Sequence, residues 1–505
     1  MAAETNDGAG DSAGNAVDDE SETQSVSGPR AGGHSEKNRV DVAQDLSGAR
    51  RDNSIDDAAR DTGGDTDGVQ VHRDGMDVAE PPARRGMSRR GLLLGGVGAL
   101  AAGVGAGVVI DRSRSDGASN SNASAHTVDF YGEHQAGIVT PAQDRLYFAT
   151  FDVITDDVDE LEGVLSEWSE AAARMTQGLE AAPDGATGGS YLAPPADTGE
   201  ALGLAASDLT VTFGVGKSLF ADENGRDRLG LAAKRPDGLI DLPHFPADRL
   251  DPARSGGDLC VQACANDPQV AFHAVRNLAR IGFGVVSMRW SQLGFGRTSS
   301  TSTAQTTPRN LFGFKDGTAN LKAEQGDLVD EFVWVHPDDE KGSGAWLVGG
   351  SYLVVRRISM HIETWDRTSL AEQEAVVGRT KLSGAPLSGG DEMTPVDIAI
   401  EGRDGPLVPV DSHVALALPE NNGGAQMLRR GYNFTDGSDH LGRLDAGLFF
   451  LAYVRDVPTQ FVAIQNKLSA MDTMMEYIVH TGSALFAVLP GATKPGVSVF
   501  APLFA

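Results

Sequence analysis

The sequence predicts an α+β fold with antiparallel sheets, because strand-like and helix-like segments follow each other in a recognisable order. The strand-like segments are short and rich in β-branched and aromatic residues, as in RLYFATFDVIT at 145–155. The helix-like segments repeat apolar residues every three or four positions, as Leu161, Leu165 and Trp168 do. Strands are predicted at 145–155, 209–215, 258–265 and 285–293, and helices at 156–175 and 268–281. This β-α-β-β-α-β order is that of a ferredoxin-like unit.

The second half of the chain carries another set of elements. Strands are predicted at 330–336, 351–358, 442–455 and 486–489, and helices at 365–378 and 459–469. Residues 380–410, rich in Gly, Pro and Asp, are predicted to form a long loop. The two halves share no evident sequence identity, so the pattern alone does not establish a repeat.

Residues 1–86 are predicted to be a disordered acidic extension. They are rich in Asp, Gly, Ser, Ala and Asn and contain no Phe, Trp or Tyr. Such a segment cannot bury enough apolar surface to offset its chain entropy. The alternative is a start codon assigned too early, since Met87 begins a complete export signal by itself.

Residues 87–125 predict export. A pair of arginines precedes the mildly hydrophobic stretch 91–110, which is the pattern of a twin-arginine signal. That stretch is about long enough to cross a bilayer, so a permanent anchor is the alternative, although its many glycines favour a signal. The small residues at 123–125 offer a cleavage site that would place the mature N-terminus near His126, in the periplasm, the cell envelope or outside the cell.

The formal net charge of −29 argues against nucleic acids and anionic membranes as partners. Cys260 and Cys264 lie four residues apart in a predicted strand, on one face but too far apart for a disulfide. They are expected to be free, buried side chains. No Walker loop, zinc-ligand spacing or GxSxG elbow is present.

The segment NLFGFKDGTAN at 310–320 places Asp316 between Gly313 and Gly317. Glycines at this spacing allow a tight turn or a close approach of the backbone to a ligand. By physics alone a surface turn is the favoured interpretation, because Asp-Gly is among the commonest turn pairs.

The string GFKDGTAN at 313–320 resembles the GxxDG signature of the dye-decolourising peroxidases, a family of haem enzymes, and is most like the EfeB-type branch of exported deferrochelatase/peroxidases. Further blocks agree in the same order: YGEHQAGIVTP at 131–141, GGSYLVVRRISMHIETWDRTSLAEQEAVVGR at 349–379, SGAPLSGG at 383–390, VDSH at 410–413 and MLRRGYNF at 427–434. The resemblance covers roughly 126–505. It implies two tandem ferredoxin-like domains, 126–307 and 308–505, with haem in the second.

The resemblance implies a peroxidase that reduces hydrogen peroxide and oxidises dyes or other small electron donors. It implies one haem b per chain, held without covalent bonds because no CxxCH motif is present. It also allows removal of iron from haem (deferrochelatase activity), partners in an iron-uptake system, and a homodimer.

The resemblance assigns three roles in the site. His413 matches the axial ligand of the haem iron, and Asp316 matches the acid that moves the proton of peroxide. Arg429 matches the cation that stabilises charge as the O–O bond breaks, and the resemblance also implies that it contacts a haem propionate. A carboxylate in this role predicts an acidic pH optimum. His361, which lies in another family block, is the alternative ligand, but relatives commonly carry an apolar residue at its position.

Glu476 aligns with the acid that bonds the second nitrogen of the axial imidazole, and Asp472 is the nearby alternative. Gly317, Thr318 and Ala319 match backbone-lined haem contacts.

The chain departs from its relatives after His413. They often carry Arg two residues later and then Asn-Pro-Arg, whereas this chain reads HVALALPE at 413–420. Two positive charges near the haem edge are therefore missing. This gives weight to an alternative function, a haem-binding or haem-delivery protein of an iron-uptake system with little turnover.

Overall fold

A computed structural model describes residues 127–340 and 342–505. The predicted acidic extension 1–86, the export segment 87–125 and the proposed mature start at His126 lie outside the described residues. Within the described ranges, no helix is both long enough and apolar enough to cross a membrane.

The strands form one antiparallel sheet that closes on itself. Its order is β5-β9-β2-β3-β1-β4-β7-β8-β6, and β8 also pairs with β5. The bounds are β1 Arg145–Val153, β2 Thr210–Gly216, β3 Leu259–Ala265, β4 Val286–Arg297, β5 Ser351–Met360, β6 Leu428–Arg429, β7 Tyr432–Ser438, β8 Leu444–Val454 and β9 Ile478–Val488. Strands of the two halves meet where β4 pairs with β7 and where β2 pairs with β9.

The helices pack outside this sheet or beside its second half. They are α1 Val158–Met175, α2 Pro268–Ile281, α3 Gly326–Phe332, α4 Ile362–Trp365, α5 Leu370–Val377, α6 His413–Ala417, α7 Ala463–Met471 and α8 Ala501–Phe504. Both long helices of the first half begin at an aspartate, Asp157 or Asp267, whose side chain accepts backbone N–H groups. The predicted α+β class and the β-α-β-β-α-β order of the first half are confirmed.

Two apolar cores form on opposite faces of the sheet. Phe151 and Trp168 belong to the core between the sheet and helices α1 and α2, whereas Phe148 and Phe449 belong to the inner core. The inner core also holds Cys260 and Cys264, which are free and buried as expected.

Several element predictions in the second half are wrong. The predicted strand 330–336 is instead the end of helix α3 and a following loop, because Val333 continues the helical hydrogen bonding to Val329 and the later pairing of Val335 with Gly349 and Gly350 does not extend into a ladder. The predicted helix 365–378 is split into α4 and α5, since Ser369 caps a new helix by accepting the N–H of Glu372. The short strand β6 and the strand β7 were not predicted.

Candidate active site

A cavity of about 280 Å³ lies against the sheet in the second half of the chain. Strands β5, β8 and β9 form one wall, helices α6 and α7 another, and the 310–319 segment a third. The lining is mostly apolar: Phe312, Phe314, Ile358, Met360, Val414, Leu448, Phe450, Phe461, Ile464, Leu468, Met474 and Ile478. Such a lining with a few polar groups is typical of a cofactor or small-molecule site.

Gly317 lets the polypeptide turn so that Asp316 faces this cavity. Its φ is +82°, and a Cβ there would lie 2.9 Å from the Cα of Ser299. A side chain at this position would therefore be strained by both backbone conformation and contact. The N–H of Asp316 donates to the carbonyl of Pro308 at 3.0 Å, which fixes the backbone on the other side of the turn.

Asp316 and Arg429 form an ion pair on the cavity wall. Arg429 Nη1 donates to Asp316 Oδ1 at 2.9 Å, and Asn310 Nδ2 donates to Asp316 Oδ2 at 3.2 Å. Both carboxylate oxygens are held, yet 14% of the Asp316 side chain and 26% of the Arg429 side chain remain accessible. The pair thus presents a carboxylate and a guanidinium to anything bound in the cavity.

His413 begins helix α6 and also faces the cavity. Its Nδ1 lies 2.7 Å from Asp472 Oδ2, while Asp472 Oδ1 accepts the N–H of Met474 at 2.9 Å. Burial lowers the pKa of His413, but the Asp472 carboxylate outweighs it and raises the pKa above its usual value. With Nδ1 bonded to an acid, Nε2 is the nitrogen that remains for a ligand in the cavity.

The prediction that Glu476 bonds this imidazole is wrong, and the alternative, Asp472, is the partner. Glu476 is exposed and lies in a separate depression, because its side chain points away from the cavity at the end of a short 3₁₀ turn, Thr473–Glu476. His361 does not line the cavity, and its backbone N–H donates to the carbonyl of Tyr477. Gly317, Thr318 and Ala319 do line it.

Sequence reasoning missed several polar residues of the lining, and two of them lie on the sheet wall. Arg356 and His480 lie on β5 and β9, and Arg356 pairs with the buried Asp248. Burial and the nearby Arg356 charge lower the pKa of His480 to about 3. The available signal was the pair of arginines in the otherwise largely apolar run SYLVVRRISM, since buried strands rarely carry charged residues without partners.

The residues present fit a haem. The cavity offers apolar walls for a porphyrin ring, an imidazole with one free nitrogen on one side, and a carboxylate–guanidinium pair. The end of helix α6 and the residues after it contribute Ala417, Leu418 and Pro419 to the lining, so this edge of the cavity is apolar.

Two family models match the chain. Residues 135–296 match the N-terminal domain of Dyp-type peroxidases, and residues 307–493 match the C-terminal domain.

Curated and solved relatives agree with these matches. A protein named deferrochelatase from Shigella flexneri serotype 5b (strain 8401) is 38% identical over 424 residues, which is 83% of this chain and 96% of the relative. The oxyferrous complex of DtpA from Streptomyces lividans is 39% identical with a TM-score of 0.66, covering 75% of this chain and 97% of that chain. A DyP-type peroxidase from Streptomyces coelicolor is 39% identical with a TM-score of 0.67, covering 76% and 99%. The chain therefore belongs to the Dyp-type peroxidase family and is a haem-dependent peroxidase.

Proposed function

We propose that the cavity holds one non-covalent haem b, with His413 Nε2 as the axial ligand of its iron. The observation that carries this proposal is the presence of two polar pairs, His413–Asp472 and Asp316–Arg429, in the lining of one apolar cavity. Asp472 fixes the orientation of the imidazole ring and makes it more electron-rich. Bound haem would supply the redox-active iron for the reduction of hydrogen peroxide.

Asp316 and Arg429 act on the peroxide in this proposal. A carboxylate oxygen of Asp316 would accept a proton from one oxygen of hydrogen peroxide and return it to the other oxygen, which leaves as water. Arg429, whose guanidinium is always charged, stabilises the negative charge that develops as the O–O bond breaks. Each hydrogen peroxide becomes two water molecules, while two donor molecules each lose one electron and one proton.

The proton-transfer role predicts an acidic pH optimum, because a carboxylate exchanges protons best where both its forms are accessible. A rate that rises steadily towards alkaline pH would contradict the role of Asp316. The electron donors in this proposal are dyes or other small molecules.

Deferrochelatase activity is a second candidate function, favoured by the name of the 38% identical relative. It would release iron from haem with the porphyrin ring intact, and it would link the protein to an iron-uptake system. Chromatography of the reaction products separates the two activities, since only the deferrochelatase reaction yields free protoporphyrin.

We further propose that residues 87–125 direct export by the twin-arginine route to the periplasm, envelope or exterior, where the chain forms a homodimer. Replacing the arginine pair at 89–90 by lysine should retain the protein in the cytoplasm on cell fractionation. Export that is unaffected by the change would contradict this route. Light scattering of the purified protein tests the dimer.

A haem carrier with little turnover is the alternative from another functional class. The apolar edge after His413 favours it, because two arginines common in relatives are missing there. Retention of Asp316 and Arg429 favours the enzyme, since storage requires neither.

Visible spectra of the haem-loaded chain, with and without hydrogen peroxide, test the proposal. We expect a Soret band that shifts with peroxide, an altered or lost band in His413→Ala, and a shift that is much slower in Asp316→Asn. A bound haem that does not respond to peroxide would support the carrier. A spectrum unchanged by His413→Ala would exclude His413 as the ligand.

A further inference from the structure

The backbone N–H and C=O of Arg429 lie on the side of strand β6 that does not pair with β8. Strand β6 is only two residues long and pairs with β8, where Arg429 lies opposite Ala452. The next residue, Arg430, donates its N–H to the carbonyl of Leu451 at 2.8 Å. In an antiparallel pair successive residues direct their backbone groups to opposite sides. The N–H and C=O of Arg429 therefore point away from β8.

Asn320 occupies this edge. Its Oδ1 accepts the N–H of Arg429 at 2.7 Å, and its Nδ2 donates to the carbonyl of Arg429 at 2.8 Å. The same Nδ2 also donates to the carbonyl of Ser300 at 3.1 Å. The side chain is buried, with 5% exposure, and both amide hydrogens are used. The amide thus replaces a neighbouring strand and fixes the Arg429 peptide from both its donor and its acceptor.

Asn320 and Asp316 belong to the same short segment, and both hold Arg429. Asp316 binds the guanidinium at 2.9 Å, and Asn320, four residues later, binds the backbone. The segment 316–320 therefore binds both the guanidinium and the backbone of Arg429. Movement of the Arg429 backbone by a fraction of an ångström would be transmitted to the position of its guanidinium beside Asp316.

We propose that Asn320 is a positioning residue that aligns Arg429 with Asp316 for the reaction with peroxide. The inference rests on the proposed roles of Asp316 and Arg429. Asn320 has no free donor for substrate and acts through the arginine alone.

The rate constant for the reaction of the haem-loaded full chain with hydrogen peroxide, followed by stopped-flow at the Soret band, tests this role. Asn320→Leu should lower it by about 10- to 100-fold while haem content per chain stays unchanged. Asn320→Asp keeps an acceptor for the Arg429 N–H and should fold if the leucine variant does not; it should also react slowly. Either variant reacting at the wild-type rate would overturn the proposal.

A matched control separates positioning from general loss of a buried amide. Asn433 is equally buried, and its Nδ2 donates to the carbonyl of Gly296 at 2.9 Å rather than to Arg429. Asn433→Leu should lower the unfolding midpoint but leave the peroxide rate near that of the wild type. Equal loss of rate in the Asn433 and Asn320 variants would show that the effect is structural and overturn the positioning role.

A double-mutant cycle decides whether Asn320 acts through Arg429. In an Arg429→Leu background, Asn320→Leu should change the rate by less than about twofold. A further loss as large as in the wild type would overturn the positioning role while leaving the role of Arg429 intact. An Arg429→Leu variant that reacts normally would instead contradict the proposed function itself, and with it this inference.

Discussion

Two histidine–aspartate pairs of similar geometry lie in the two halves of this molecule. His413 Nδ1 lies 2.7 Å from Asp472 in the second half, and His273 Nε2 lies 2.9 Å from Asp197 in the first. Both carboxylates are buried. The histidines differ, because 35% of the His413 side chain is accessible and only 4% of His273 is.

The surroundings explain the difference. His273 is enclosed in helix α2, and Asp197 also accepts the N–H groups of Ala181 and Gly199. The pair His273–Asp197 links the loop after helix α1 to helix α2, and neither side chain is accessible to a ligand. His413 instead begins a short helix at the wall of the cavity. The same two residue types thus serve a structural contact or a cofactor site according to access, which residue identity alone does not reveal.

The largest effect is expected when Asp472, the acid of the cavity pair, is replaced. Asp472→Asn should lower peroxidase turnover by about 10- to 100-fold, because an amide cannot make the imidazole as electron-rich as a carboxylate does. The reduction potential of the bound haem should rise for the same reason. Steady-state kinetics and redox titration measure the two effects.

Asp197→Asn is the matched control at the other pair. It should leave turnover and reduction potential near their wild-type values, since no group near Asp197 lines the cavity. Equal losses of turnover in both variants would contradict the assignment of one pair to the cofactor site and the other to a structural contact.

His480 is a third buried or partly buried histidine near an aspartate, but it does not form a close pair with that aspartate. Its Nδ1 is 3.8 Å from Asp248 Oδ1, while Arg356 holds that carboxylate. The pKa of His480 is about 3 in the folded chain and 6.5 in its ordinary state. The unfolded chain therefore binds the proton more readily, so stability is fully present above pH 6.5 and is lost as the pH falls towards 3.

Between pH 6.5 and pH 5 this loss should reach about 2 kcal/mol in the free energy of unfolding. Urea unfolding of the haem-free chain at the two pH values measures it. His480→Gln should remove most of that pH dependence. An unchanged slope in the variant would show that other groups cause the acid sensitivity.

A smaller effect on stability is expected at the structural pair. Burial raises the pKa of Asp197, but bonds from His273 and from two backbone N–H groups outweigh burial and leave the pKa below 3.8. The stability that this group contributes is therefore present above pH 3.8 and is lost as the pH falls through the lower folded value.

Asp197→Asn should cost about 1 kcal/mol at pH 7, measured by urea unfolding, and less at pH 3. A cost at pH 3 as large as at pH 7 would mean that the ionised carboxylate is not the source of the stability.

Local patterns predicted the first half of the fold well, and tertiary contacts decided what they missed. Helix α2 has its predicted bounds, and Asp267 and the proline that follows it mark its start. Helix α3 has no such signal, since Gln325 makes no side-chain cap, and the β-branched and aromatic residues VWV at 333–335 are typical of a strand. Strand β7 contains Asp436-Gly437, which is typical of a turn, and it forms because β4 and β8 pair with it on both sides.

In the site, motif position identified His413, Asp316 and Arg429 as residues that line one cavity. It could not identify Arg356 and His480, whose approach to the cavity depends on the pairing of β5 with β9. It also could not separate Asp472 from Glu476. Four residues apart on a regular helix they would share a face, but helix α7 ends at Met471 and the chain turns there.

Glu476 provides the smallest expected effect and the strictest test of that last distinction. Glu476→Gln should leave the Soret spectrum, reduction potential and turnover unchanged, because the side chain is exposed in a depression separate from the cavity. Asp472→Asn, measured beside it, should change all three. If Glu476→Gln shifted the reduction potential as much as Asp472→Asn, the acid acting on His413 in the haem-bound protein would differ from the one that contacts it here. The hydrogen bond of 2.7 Å between His413 and Asp472 argues for the opposite result, since an exposed carboxylate is screened by water and a buried one is not.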